Sequence, residues 1–118
     1  MLGRILFNVS ANSIPPASPS DFQDPNKVNL VDQVSTKTVT EYGKGEKTII
    51  AIDTGMKWNQ VRCLVKRGVK VRVVPWNHDL TKETNFHGIF ISNGPGDPTM
   101  CQETIHQLKQ FLTVPCIT

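Results

Sequence analysis

Thr48-Ile49-Ile50-Ala51-Ile52 is an unbroken apolar run, mostly β-branched, that stops at Asp53 and Gly55. A run this short, with no polar residue after its first, predicts a strand buried on both faces, the kind that lies inside a parallel sheet with helices on either side. The following residues agree with that expectation. Trp58, Val61, Leu64 and Val65 recur at helical spacing, Arg62, Lys66 and Arg67 fall on other faces or near the end where cations suit the helix dipole, and Gly68 stops the helix. Val69-Lys70-Val71-Arg72-Val73-Val74, backed by Pro75, predicts a second strand, and Gly88-Ile89-Phe90-Ile91-Ser92 a third. Strands alternating with helices imply an α/β fold with an open parallel sheet and right-handed crossovers. In such sheets function gathers beyond the carboxyl ends of the strands, here at Asp53, Pro75 and Ser92.

Upstream of the first strand the chain has a different character. Residues 8–26 are rich in Ser, Asn, Pro and Asp, and Ile14-Pro15-Pro16-Ala17-Ser18-Pro19 removes backbone donors and holds its neighbours extended, so this stretch predicts a surface linker. Asn8-Val9-Ser10 fits a glycosylation triplet, read here as a chance match. Val28, Leu30, Val31 and Val34 have the spacing of a turn or two of helix, which Tyr42-Gly43-Lys44-Gly45 breaks, placing Gly45 in the linker before the first strand. At 118 residues and 38% hydrophobic, the chain fits one domain with an irregular part.

Charge and cysteine usage narrow the function classes. The net charge of +3 comes from Lys and Arg scattered through the chain with few interleaved aromatics, so neither a nucleic-acid nor a membrane role is expected. No apolar run approaches the ~18 residues of a membrane span, and the opening residues do not form a secretory leader, which predicts a soluble cytoplasmic chain. Cys63, Cys101 and Cys116 are far apart with no histidine at ligand spacing, so no disulfide framework or metal site is expected.

The densest chemical signal is Ser92-Asn93-Gly94-Pro95-Gly96-Asp97-Pro98, a strand-to-helix turn. Its two glycines can adopt positive φ and leave backbone N–H groups unobstructed. Three uses are open to it: a tight turn with no ligand, a phosphate cradle, or an oxyanion hole for acyl transfer. A P-loop is excluded by the missing Gly-Lys-Ser/Thr, and a dinucleotide fingerprint by the missing third glycine. Beyond the turn, Cys101, Ile105, Leu108 and Leu112 share one stripe of a helix. Its start is marked either by Thr99 with Gln102 as a capping box or by Asp97 as cap with Pro98 behind it.

The stretch Gly88-Ile89-Phe90-Ile91-Ser92-Asn93-Gly94-Pro95-Gly96-Asp97-Pro98 resembles the signature of class I glutamine amidotransferases, in particular the glutaminase part of carbamoyl-phosphate synthetase. Residues 29–37, 51–62, 64–68 and 73–78 resemble its eukaryotic members as well, and residues 9–20 are least alike. The resemblance implies a flavodoxin-like open sheet with flanking helices. Residues 1–46 would be the end of a preceding small-subunit domain and a linker, and 47–118 the N-terminal half of the amidotransferase domain.

It also implies glutamine as substrate and the synthetase large subunit or domain as partner, with no cofactor of the chain's own. The family hydrolyses glutamine through a cysteine thioester, with a histidine and a glutamate completing the triad. Its nucleophile lies in a Gly-x-Cys-x-Gly elbow that would begin where residues 114–118 end, so the chain is expected to be a fragment without the catalytic Cys, His and Glu, inactive alone. Gly94 matches the family's oxyanion and glutamine-contacting glycine, and Gly96 the second glycine of that oxyanion and glutamine-binding turn, which lets the backbone approach the substrate. The turn is slightly closer to glutamine-using, pyrimidine-type members. A non-catalytic truncated homologue that binds the synthetase or an intact glutaminase is the alternative.

Other tempting residues receive structural roles. Cys63 sits within a helix pattern, Cys101 on an apolar stripe and Cys116 in a strand pattern, so each is expected to be a buried small hydrophobe. His78, His87 and His106 fall in loops or on a polar helix face, and Asp53 is expected to cap a loop.

Overall fold

The computed structural model describes Ser10 and residues 24–112. The proline-rich stretch 14–19, most of the Asn8 triplet, and the strand expected over 114–118 with Cys116 lie outside them. The described chain builds a four-stranded sheet in the order β1-β3-β2-β4, from β1 (Thr40–Tyr42), β2 (Thr48–Asp53), β3 (Lys70–Pro75) and β4 (Gly88–Ile91). Three helices accompany it: α1 (Leu30–Val34), α2 (Trp58–Lys66) and α3 (Gln102–Leu112).

β2 is central and pairs in parallel with both neighbours, Ile50 opposite Arg72 on β3 and Ile89 on β4. Successive side chains point to opposite faces of a strand, so its apolar run feeds two cores. Ile50 and Ile52 join Val74 and Leu80 on one face, where Phe86, Ile89, Leu108 and Phe111 pack against them. Ala51 joins Val61, Val71 and Val73 on the other, covered by Tyr42, Leu64 and Val65. Thus α3 closes one face and α2 the other. Ile50 and Val74 are fully buried, and burying one such side chain stabilises the fold by about 1.5–3 kcal/mol.

The ends of the elements follow local chemistry. Asn29 caps α1 by accepting from the N–H of Asp32 at 3.1 Å. α2 ends where Gly68 takes φ +80°, and the Arg67 guanidinium donates to the Cys63 carbonyl at 2.8 Å, satisfying a last-turn acceptor. Of the two starts open for the last helix, the structure uses Asp97, whose carboxylate caps a 3-10 turn over Pro98–Met100 before α3 begins.

Four features differ from expectation. The sheet is mixed, because β1 adds antiparallel to β3 with Tyr42 opposite Val71; three residues among polar neighbours carry too little periodicity to announce a strand. Leu112 is 78% exposed, and Phe111 packs in its place against the Phe86 ring at 5.8 Å between centroids. Cys63 is only half-buried. Gly45, expected in a surface linker, instead packs on the end of α2, where a Cβ would sit 2.0 Å from the Gly68 carbonyl oxygen.

Candidate functional site

The carboxyl ends of β2 and β4 lie side by side, and the turns that leave them are locked together. Thr54 and Ser92 are both buried. The Thr54 N–H donates to Ser92 Oγ at 3.0 Å and the Thr54 hydroxyl donates to the Ser92 carbonyl at 2.6 Å. The Ser92 hydroxyl donates in turn to the Asn93 carbonyl at 3.1 Å. Beneath them Asp53 organises the other turn. Its Oδ1 accepts from the N–H groups of Gly55 and Met56 at 2.9 and 2.7 Å, and its Oδ2 accepts from the Thr36 N–H at 2.8 Å. Asp53 is therefore a loop-capping residue, as its position at a strand end predicts.

Both glycines of the β4–α3 turn are required, for different reasons. Gly96 has φ +76°. Gly94 does not adopt positive φ, contrary to expectation. It is needed because the Thr54 backbone passes so close that a Cβ would lie 2.1 Å from the Thr54 carbonyl oxygen. Gly55, at φ +122°, faces the same turn, with space for a Cβ limited to 3.0 Å by Pro95. The N–H groups of Gly94 and Gly96 donate to no acceptor among the described residues, and both glycines are exposed.

They border a cavity of about 330 Å³ whose wall combines this turn with Val31, Thr54, Ile91, Cys101, Ile105 and Leu108. α1 reaches this wall because its neighbourhood is tied to the sheet end. The Trp76 indole N–H donates to Asp32 at 3.1 Å, the Trp76 backbone N–H donates to the Ser35 hydroxyl at 3.0 Å, and the Asn29 amide donates to the Met100 carbonyl at 3.2 Å.

A wall that includes N–H groups with no acceptor among the described residues is chemically able to face negative charge. It lacks a nucleophile among the described residues. Cys101 borders the cavity but is buried, and burial, followed by the nearby Glu103, pushes its thiol up, away from the reactive thiolate. Cys63 lies on α2, outside the cavity wall.

No histidine borders the cavity either. His78 Nε2 lies 2.8 Å from Glu83, which also holds Arg72. His87 accepts from the Thr48 N–H at 3.1 Å, and His106 is exposed beside Gln110. No group of His, Cys, Asp and Glu among the described residues is arranged to hold a metal, and none of their helices is long and apolar enough to cross a membrane.

Residues 50–117 match the model of the family "Glutamine amidotransferase class-I". The chain belongs to this family. The chain is 47% identical over 113 residues to a human protein named carbamoyl-phosphate synthase [ammonia], mitochondrial, covering 95% of this chain and 7% of the relative. It is 44% identical over 115 residues to the multifunctional protein CAD of Squalus acanthias, covering 96% of the chain and 5% of the relative. With the multifunctional protein ura1 of Schizosaccharomyces pombe it shares 40% identity over 142 aligned positions, covering 98% and 6%. The chain thus spans only 5–7% of the length of these relatives.

Gly94 and Gly96, singled out by their motif, fall at the mouth of the cavity, and none of the cysteines or histidines weighed in the sequence joins them as a catalytic group among the described residues. Sequence reasoning missed Thr54 and the Ser92 hydroxyl. The available signal was positional: each is a small hydroxyl residue directly at the carboxyl end of a strand.

Proposed function

We propose that the chain is part of the glutaminase of a glutamine-dependent carbamoyl-phosphate synthetase, supplying ammonia from glutamine to a synthetase subunit or domain. In this reading residues 47–118 form the first half of the amidotransferase domain, and residues 1–46 the end of the preceding small-subunit domain with its linker. The names of the relatives support carbamoyl phosphate as the product. The parent is read as cytoplasmic and pyrimidine-type from the resemblance of the Ser92–Pro98 turn to glutamine-using members, while relatives named as multifunctional proteins and relatives named as mitochondrial both match the chain.

Gly94 and Gly96 are the residues this chain contributes to the chemistry. Attack on the glutamine amide by a thiolate places negative charge on the carbonyl oxygen, and donors fixed in advance stabilise that charge without reorganisation. The observation that carries the proposal is the pair of N–H groups bordering the cavity that meet no acceptor among the described residues, on a turn held so closely against Thr54 that only glycine fits at position 94. Oxyanion donors act only on charge that a nucleophile has generated. Among the described residues neither Cys101, whose thiol burial pushes up, nor Cys63, off the cavity wall, supplies that nucleophile, and purified chain is proposed to release no ammonia from glutamine.

The test uses the full-length protein carrying this segment. Gly94→Ala should lower carbamoyl phosphate formation from glutamine by about 10²-fold, within the range for loss of one oxyanion donor, while formation from free ammonia stays unchanged. Equal loss with both nitrogen donors would contradict the assignment.

A further inference from the structure

The Asn93–Gly94 peptide carries the Asn93 carbonyl and the Gly94 N–H in one rigid plane, and no cis peptide bond occurs among the described residues. Holding the carbonyl therefore fixes the direction of the N–H. The Ser92 hydroxyl holds it, donating its one proton to Asn93 O at 3.1 Å. Ser92 Oγ is itself set by Thr54, whose backbone N–H donates to it at 3.0 Å. Thr54 Oγ1 donates its proton one peptide earlier, to Ser92 O at 2.6 Å. Two consecutive peptide planes leading into Gly94 are thus each anchored at their carbonyl by a buried hydroxyl.

We propose that the Thr54 and Ser92 hydroxyls are positioning residues for glutamine hydrolysis, aligning the Gly94 N–H with the oxyanion, an assignment that rests on the oxyanion reading above. Burial favours this role over simple loop closure. Thr54 and Ser92 are each 7% exposed, so neither hydroxyl exchanges its partner freely with water, whereas the turn they control is exposed. A rigid support beneath an exposed donor pair is what pre-organisation requires. The two hydroxyls also act in series, so their effects should not add.

Ser92→Ala, Thr54→Val, Thr54→Ser and the double variant Thr54→Val/Ser92→Ala would be made in the full-length protein beside Gly94→Ala. Steady-state rates would be measured with glutamine and with ammonia. Ser92→Ala and Thr54→Val should each lower the glutamine-supported kcat about 10-fold, a partial loss of one donor, with KM for glutamine and the ammonia-supported rate within about 2-fold of the parent. Thr54→Ser, which keeps the hydroxyl, should restore the rate to within about 3-fold, and the double variant should be no worse than about 20-fold, far from the product of the two.

If Gly94→Ala lowers the glutamine rate while Ser92→Ala and Thr54→Val do not, the positioning role is overturned and the oxyanion site stands. If all three leave it unchanged, the site itself is wrong. Parallel loss with glutamine and ammonia in the Ser92 and Thr54 variants would make the pair structural and overturn the inference.

Discussion

A Cβ on Gly94 would lie 2.1 Å from the carbonyl oxygen of Thr54, a separation that no carbon and oxygen adopt without a bond between them. The turn after β4 is seated directly on the turn after β2, so the backbone excludes every side chain at position 94 whatever its φ. Gly96, two residues on, is constrained only by its φ of +76°, with its nearest would-be Cβ contact an ordinary 3.5 Å from Leu30.

The two glycines should therefore respond differently to asparagine. Asparagine tolerates the left-handed region better than alanine does, so Gly96→Asn should be milder than Gly96→Ala, which should cost roughly 1–2 kcal/mol of stability. Gly94→Asn should be no better than Gly94→Ala. Urea unfolding of the four variants checks the ordering. A rescue by asparagine at position 94 would mean that φ, and not the Thr54 carbonyl, sets the requirement.

Asp53 accepts from three backbone N–H groups, of Thr36, Gly55 and Met56. Asp53→Ala strands these donors and should cost about 3 kcal/mol or more, given ~1–3 kcal/mol for each buried polar group left unpaired. Asp53→Asn keeps one oxygen acceptor and should fall between alanine and the parent. Denaturant midpoints at constant m-value measure the series, and an Asp53→Ala loss below about 1 kcal/mol would show that water replaces the carboxylate.

Burial raises the Glu83 carboxyl, but hydrogen bonds from Arg72 and His78 outweigh it and hold the group below the usual carboxylate range. A carboxylate lowered on folding contributes stability that is present above its unfolded value and lost as pH falls through the folded one. The parent should lose thermal stability between about pH 5 and pH 3, and Glu83→Gln, which no longer titrates, should show a shallower slope there. Identical acid limbs in melts of the two proteins would remove Glu83 from the account.

Gly45 packs against the end of α2, its would-be Cβ 2.0 Å from the Gly68 carbonyl oxygen. Gly45→Val should therefore lower the melting temperature clearly, while Lys47→Ala, a substitution at an exposed neighbour, should not. Equal melting of both variants would mean that residues 43–46 give way without cost.

Much of this arrangement was legible in the sequence because it depends on local pattern. The β-branched run of β2 and the helical spacing from Trp58 to Val65 announce their elements, and the Gly94-Pro95-Gly96 turn announces a special backbone. What was not legible depends on partners distant in sequence. β1 is a strand only because β3 offers it an edge, with Thr40 opposite Val73. Gly45 looks like a linker glycine until Gly68 is brought beside it, and Gly94 looks like a positive-φ residue until Thr54 is found beneath it. The Thr54–Ser92 hydroxyl pair spans 38 residues, and no periodicity within either segment reports it.

The Gly94 and Gly96 amides are proposed to receive the oxyanion of glutamine hydrolysis. A structure of the full-length protein with a glutamine-derived aldehyde trapped on its nucleophile tests it most directly. The tetrahedral adduct places an oxygen where the oxyanion forms, and that oxygen should lie about 2.7–3.1 Å from the Gly94 nitrogen, with Gly96 lining the same site and the Thr54–Ser92 contacts unchanged. An adduct oxygen held by other donors, with both glycine nitrogens beyond about 4 Å, would contradict the account.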